Sequence, residues 1–568
     1  MVVNRNAGKV KKFGLATALT AAVTLVGATY ATGALADGPM VTKSAPMAYA
    51  PPPTASCGSV YDFFFTACPL TWYGVTVFGI VDMGGSYMTH GAPFDKNFPT
   101  GVPYLLGGGG GNATGRLAGF FPAPNGLSQS AVGVKIIEPI APGGWSFVGE
   151  FGLAFDPYSF LLSNAPQAMQ NGIGVAENQQ LSPIDSSRWG WLGASNYVGI
   201  SNPLAGTLTF GRQNALELDG VVAYDPMGGS YAFSAIGFSG KTAGSGDTED
   251  ARWTTAIKYR ENLGDYRLSA MVQPLGLFGG GGGLGAYNPN NGGVSLGIGG
   301  DIKHSVPGVI SWDIIGTYER DAVNIGTKFV GATQINGWPG GANPFPGGAF
   351  SGLAATLSNN LAGMALLKWS FGSWGNTSAP IVGKGPVAPS GPTGIPLTLY
   401  AGYELIQFSS PSDPQTGSLP DDGFTFNFVN AGATALSANG TTIANNAFNS
   451  LCKAGYTCNS EIFQVVWTGA KYGITKDLDI IGAYYHYIQN QYINVPTPVP
   501  AAGSCANPAN LGQCAGWLDV YSMVLDWRFL PKWDVYIGTM YSAAFGGIAN
   551  GSIARNNVAT TTGVRFRF

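Results

Sequence analysis

The chain ends TTGVRFRF, Thr561 to Phe568, with two arginines set among apolar side chains and an aromatic as the last residue. In a β-strand successive side chains point to opposite faces, so Val564, Phe566 and Phe568 share one face and Arg565 and Arg567 the other. An edge strand of a soluble sheet and a wall strand of a membrane barrel both fit this stretch. The rest of the sequence decides between them.

Asp, Glu, Lys and Arg make up only 10% of the 568 residues, against about 25% in ordinary soluble proteins. With 45% hydrophobic and 12% aromatic residues, the chain is too apolar for disorder. Glycine is abundant, at 86 residues, but follows no Gly-X-Y period, which excludes collagen. The one long uncharged apolar run, Phe13 to Ala36, follows Arg5, Lys9, Lys11 and Lys12 and ends in Ala34-Leu35-Ala36 before Asp37. That is the pattern of a secretory signal cleaved after residue 36. Its removal takes away four basic groups and leaves 24 against 31 acidic ones, a formal charge of −7. Such a balance excludes a nucleic-acid binder.

Export favours disulfides, and the six cysteines fall into close pairs: Cys57 with Cys68, Cys452 with Cys458, and Cys505 with Cys514. Sequence leaves the connectivity open, although local closure costs the least chain entropy. None of the pairs has metal-ligand spacing, and nothing points to a metal or cofactor.

Beyond the signal no stretch reaches the 18 to 20 apolar residues of a membrane helix. What recurs is alternation with a period of two. In ARWTTAIKYR, Trp253, Thr255, Ile257 and Tyr259 alternate with Arg252, Lys258 and Arg260; in WDVYIGTMYSAAF, Trp533, Val535 and Ile537 alternate with Asp534 and Tyr536. Sixteen strands are predicted, at 75–88, 129–140, 145–155, 196–203, 207–213, 251–262, 266–274, 292–304, 308–323, 364–371, 396–408, 464–476, 478–492, 516–530, 533–545 and 559–568. Their connections alternate between long ones and tight ones such as APGG, LGD and PK, with the Pro/Gly-rich stretch 372–395 as the exception. Long loops at one end and tight turns at the other describe an antiparallel up-and-down transmembrane β-barrel with extracellular loops and periplasmic turns. Lipid tolerates no open sheet edge, so 559–568 is expected to pair with 75–88. Phe566 and Phe568 then face lipid, and Arg565 and Arg567 a wet lumen.

With YGVTVFGIVDMGGSY (Tyr73–Tyr87) as first strand, LTFGRQ (Leu208–Gln213) before the third long loop, ARWTTAIKY (Ala251–Tyr259) after it and a terminal Phe568, the chain resembles the sixteen-stranded trimeric general diffusion porins of Gram-negative outer membranes. The pattern covers most of 72–568. The resemblance implies a homotrimer in outer-membrane lipid, passing ions and small hydrophilic solutes by passive diffusion. It also implies an assembly signal at Phe566 and Phe568, read by the barrel-assembly machinery, and a third loop, 214–250, folded into the lumen as the constriction. A substrate-specific channel is the closest alternative. Two features depart from the family pattern: the chain is longer, and 37–71 adds a Cys57–Cys68 segment.

Within the third loop, Glu217, Asp219 and Asp225 come early and Asp247, Glu249 and Asp250 late, between Arg212 and Arg252. With the loop inside, the early carboxylates are expected to face the wall cations Lys258, Arg267, Arg565 and Arg567, setting a field across the pore that selects by charge. GKTAGSGD within the loop lacks the spacing of a phosphate loop. A hydrolase would need a His base beside its nucleophile, and the three histidines, His90, His304 and His486, lie in no such motif.

Overall fold

A computed structural model describes residues 56–89, 118–155, 157–158, 160, 195–238, 252–274, 292–303, 307–320, 324–325, 355–356, 359–374, 392–409, 457–458, 460–491, 493–494, 514–547 and 555–568. The signal segment, His90, His304, Asp247, Glu249, Asp250, Cys452 and Cys505 lie outside the described residues, as does the side chain of Cys458.

Sixteen strands form the wall. The first eight are β1 (Val75–Met88), β2 (Ala131–Ala141), β3 (Trp145–Ala154), β4 (Asn196–Asn202), β5 (Gly206–Asn214), β6 (Arg252–Leu263), β7 (Tyr266–Gln273) and β8 (Gly292–Ile302). The others are β9 (Val309–Arg320), β10 (Asn359–Trp374), β11 (Pro392–Ser409), β12 (Glu461–Gly473), β13 (Leu478–Gln489), β14 (Gly516–Leu530), β15 (Trp533–Gly546) and β16 (Asn556–Arg567). Each pairs antiparallel with the next. The last returns to the first, from Ile80 opposite Arg567 to Met88 opposite Ala559. The predicted strands and the predicted closure are those observed.

Alternation sets the two faces. Ile314, Leu367, Val466, Trp517, Met523, Trp527, Ile537 and Val564 are exposed apolar residues, whereas their chain neighbours Ile315, Leu366, Trp467, Leu518, Val524, Asp526, Tyr536 and Arg565 are buried on the other face. An exposed apolar outer face is what lipid contact requires. The inner face differs from the expected charged lining. On β12–β15 its positions are largely apolar, including Phe463, Val465, Trp467, Tyr485, Tyr487, Leu518 and Val520. Period-two reading of one strand registers the exposed face but not what the chain later folds against the other.

Much of what covers that face is the segment after β5. Helix α2 (Leu216–Tyr224) carries Glu217 and Asp219 in its first turn, where the positive end of the helix dipole favours carboxylates. Leu216, Val221 and Tyr224 join one buried apolar cluster with Met271, Ile315, Met364 and Leu366 of the wall. A Cβ at Gly220 would stand 2.8 Å from Leu366 and 2.9 Å from Ile315, so glycine is what lets the helix lie this close. After a turn at Asp225 the segment passes to the opposite wall, where the Phe233 ring packs edge-on to Tyr536 at 6.0 Å, and it ends in the short helix α3 (Ala235–Phe238).

Two features were not foreseen. The first long connection rejoins the wall early, through a short strand Gly119–Pro122 paired with the end of β1, and then turns inward before β2. There Ala123 N–H donates to the Gly84 carbonyl and Asn125 N–H to that of Asp82, filling the gap in the β1–β2 ladder. The second is helix α1 (Val60–Phe65), N-capped by the Ser59 side chain, inside a loop closed by the Cys57–Cys68 disulfide. The α1 rings of Phe63 and Phe64 lie against Phe566, with centroids 5.6 and 5.5 Å away. Phe566 is therefore buried under protein rather than facing lipid as expected. Cys514 is also disulfide-bonded.

Candidate functional site: the charged interior

Among the described loop carboxylates, Asp219 is the one that pairs with wall cations. It pairs with Lys258 Nζ at 2.6 Å and with Arg260, and Asn214 Nδ2 donates to its other oxygen. Burial alone would raise its carboxyl; Arg260 and Lys258 outweigh that and hold it below its ordinary value.

Glu217 and Asp225 differ from the expectation. Glu217 is buried on the wall side of α2, accepting from Ser295 Oγ at 3.1 Å, and its second oxygen has no hydrogen-bond partner among the described residues. Burial pushes its carboxyl up to about 7. Among the described residues Asp225 meets no cation; it accepts from Tyr485 OH at 2.6 Å and from the backbone N–H groups of Met227 and Gly229. Its carboxylate fixes the turn that sends the chain across the barrel, and burial raises it. Sequence spacing gives the acids but not which side of a helix meets water.

The wall cations are distributed among wall carboxylates. Arg267 donates to Asp301 at 2.8 Å and Asp313 at 3.2 Å, and touches the loop through the Tyr224 hydroxyl oxygen at 3.1 Å. Arg565 donates to Asp534 at 2.7 Å and to Ser128 Oγ at 2.7 Å, and Arg567 to Asp534 at 3.0 Å. Among the described residues neither terminal arginine meets a third-loop carboxylate; β15 offers Asp534 directly opposite Arg565 in register. Arg252 donates to Asn214 Oδ1 at 3.0 Å, and Arg212 is buried on β5.

The sequence reading missed further groups. Asp479 holds both Arg528 at 2.8 Å and Lys471 at 3.0 Å, and Glu150 stands 3.8 Å from Lys135. Opposite β16, Asp82 accepts from Tyr536 OH at 2.7 Å and from the N–H groups of Leu127 and Ser128, joining β1, β15 and the inward turn. Each lies at an inward position within a predicted strand; pairing the predicted strands in register would have brought them together. His486 points outward, 2.7 Å from Asp519.

The interior thus carries ion pairs and apolar packing side by side, and among the described residues no group of His, Cys, Asp and Glu has the arrangement of a metal site. Known structures with a similar chain course are an anion-selective porin from Comamonas acidovorans (12% identity, TM-score 0.47, covering 87% of this chain and 99% of that one) and Salmonella typhi OmpF in complex with daunomycin (10%, 0.43, 88% and 100%). A third is the high-pH structure of Pseudomonas putida OprB (12%, 0.43, 87% and 94%). No curated protein sequence matches the chain. The family model of the Gram-negative porins matches residues 16–337, more than half the chain. With its closed sixteen-stranded wall, the chain belongs to that family, the outer-membrane channels of passive diffusion.

Proposed function

We propose that the channel favours small hydrophilic anions, with residues 214–250 as its constriction. One observation carries this reading. In three inner-wall clusters the cation is more exposed than its carboxylate: Arg567 at 30% against Asp534 at 1%, Arg528 and Lys471 at 29% each against Asp479 at 5%, and Lys135 at 23% against Glu150 at 16%. At these three clusters a passing solute meets guanidinium and ammonium groups more than carboxylates, whereas at the loop pair Lys258 is 3% exposed against 20% for Asp219. Low-dielectric walls strengthen that field. In planar bilayers under a salt gradient, the zero-current potential is expected to take the sign of anion preference. A cation-selective potential would refute the reading.

The signal rests on the Phe13–Ala36 run and its Ala34-Leu35-Ala36 end, and the rest of the finer organisation on the resemblance. Residues 1–36 are a cleaved signal, 37–71 a periplasmic segment, and 72–568 the barrel. Three copies assemble through the wall, and the barrel-assembly machinery reads the end of β16.

A further inference from the structure

The disulfide-closed segment before β1 packs against the barrel wall, and its position there is specific. Val564, Phe566 and Phe568 lie on the outward face of β16, since Arg565 between them is buried against Asp534 and Ser128. The Phe568 ring lies over Gly79 of β1, where a Cβ would collide with it. Helix α1 covers these rings from outside: Phe63 is 5.0 Å from Phe568 and Phe64 is stacked on Phe566. The tight turn between β14 and β15 fixes the helix. Lys532 Nζ donates to the carbonyl of Phe63 at 2.9 Å, an acceptor that a short helix leaves over at its end, and to that of Cys68 beyond the helix at 2.8 Å. Trp533 Nε1 donates to the Phe64 carbonyl at 3.0 Å. The helix therefore sits on the lipid side of the β16–β1 seam, at the tight-turn rim, which is the periplasmic one in bacterial barrels.

On its other side α1 is covered by none of the described residues. Val60, Tyr61 and Phe65 are exposed, as are Trp72 and Tyr73 beyond the disulfide. Asp62 is the one charged residue in the helix. Around the same rim the wall carries exposed Tyr266, Tyr472, Trp527 and Phe529, the aromatic girdle of a membrane barrel. At the seam the first outward positions of β1 are Val75, Val77 and Gly79, without an aromatic among them. The aromatic face of α1 fills that sector and is continuous with the lipid-facing surface.

We propose that the Cys57–Cys68 segment is an interfacial anchor, whose α1 aromatics insert into the headgroup–acyl boundary of the periplasmic leaflet and complete the girdle at the closing seam. The occupant of the exposed face is phospholipid, because the face continues a surface that lipid already covers and presents aromatic rings rather than charge.

The test uses the full chain in outer membranes, with the photo-cross-linking residue benzoylphenylalanine at Tyr61, or at Phe65 should the first variant fail to assemble. The same probe at Met523, exposed on the outward face of β14, serves as the lipid reference. Folding is checked by heat-dependent gel migration and single-channel conductance, so loss of the channel is distinguishable from loss of the anchor. The expected result is phospholipid adducts at Tyr61 in a yield comparable to that at Met523, because an interfacial side chain lies in the headgroup–acyl boundary. A lower yield, or adducts with a second copy of the chain or with cell-wall glycan, overturns the proposal.

Discussion

Of the described loop carboxylates, Asp219 couples loop and wall electrostatically, while Glu217 and Asp225 are buried. Two unit charges about 4 Å apart interact by about 1 kcal/mol even at the dielectric constant of water, roughly a fivefold factor in local ion concentration. Asp219→Asn removes the carboxylate that pairs with Lys258 and Arg260, while Lys258 keeps its bond to the Asn214 carbonyl at 2.6 Å. Anion permeability relative to cation permeability should rise by up to that fivefold factor in dilute salt. The gain should fade near 1 M, where the Debye length is about 3 Å. Bilayer reversal potentials at both salt levels check this, and an unchanged potential in dilute salt would move the selective point elsewhere. Glu217→Gln, facing the wall, should leave the potential unaltered.

For α2 as an element, the group of consequence is Glu217. Its carboxyl titrates at about 7 when the helix is docked, against an ordinary value of 4.5. The docked form therefore binds the proton more tightly than the released form. Its stabilisation is complete below about pH 4.5, declines through the window up to 7, and is lost above it. Hydrogen exchange of residues 216–224, corrected for intrinsic rates, should show stronger protection at pH 5 than at pH 8, and Glu217→Gln should abolish the difference. Equal protection in the parent chain would show that docking does not depend on this proton. The wall itself was legible in the sequence, because each strand states its two faces locally and connection lengths state the topology. The interior was not. Whether Glu217 or Asp219 meets a lysine depends on how α2 lies on β8–β10, and the close approach at Gly220 is set by Ile315, Met364 and Leu366, distant in the chain. Arg565 and Arg567 read correctly as inward, yet their partner Asp534 emerges only once β15 and β16 are in register. Phe566 read as lipid-facing because nothing in RFRF announces a helix some five hundred residues earlier.

At the scale of the whole molecule, closure governs stability. Every wall strand has two neighbours, so no edge is open to detergent or to another chain. The expected behaviour is slow, heat-dependent unfolding in sodium dodecyl sulfate and a homotrimer in mild detergent, the latter checked by light scattering, where a monomer mass would contradict it. The seam is held by more than its ladder. Asp82 lies opposite Arg565 in the β1–β16 register, yet its carboxylate accepts from Tyr536 of β15 and from two N–H groups of the inward turn. One buried carboxylate thus ties together two wall strands and the turn that fills the gap between β1 and β2. Tyr536→Phe keeps the ring and its packing against Phe233 but leaves Asp82 one donor short in a buried site, a loss of about 1–3 kcal/mol. Channel conductance should survive, because the hydroxyl is buried. The temperature at which the folded band converts to the unfolded one on a gel should fall. An unchanged conversion temperature would mean that the ladder alone holds the seam, and that the Asp82 contacts add nothing to the barrier.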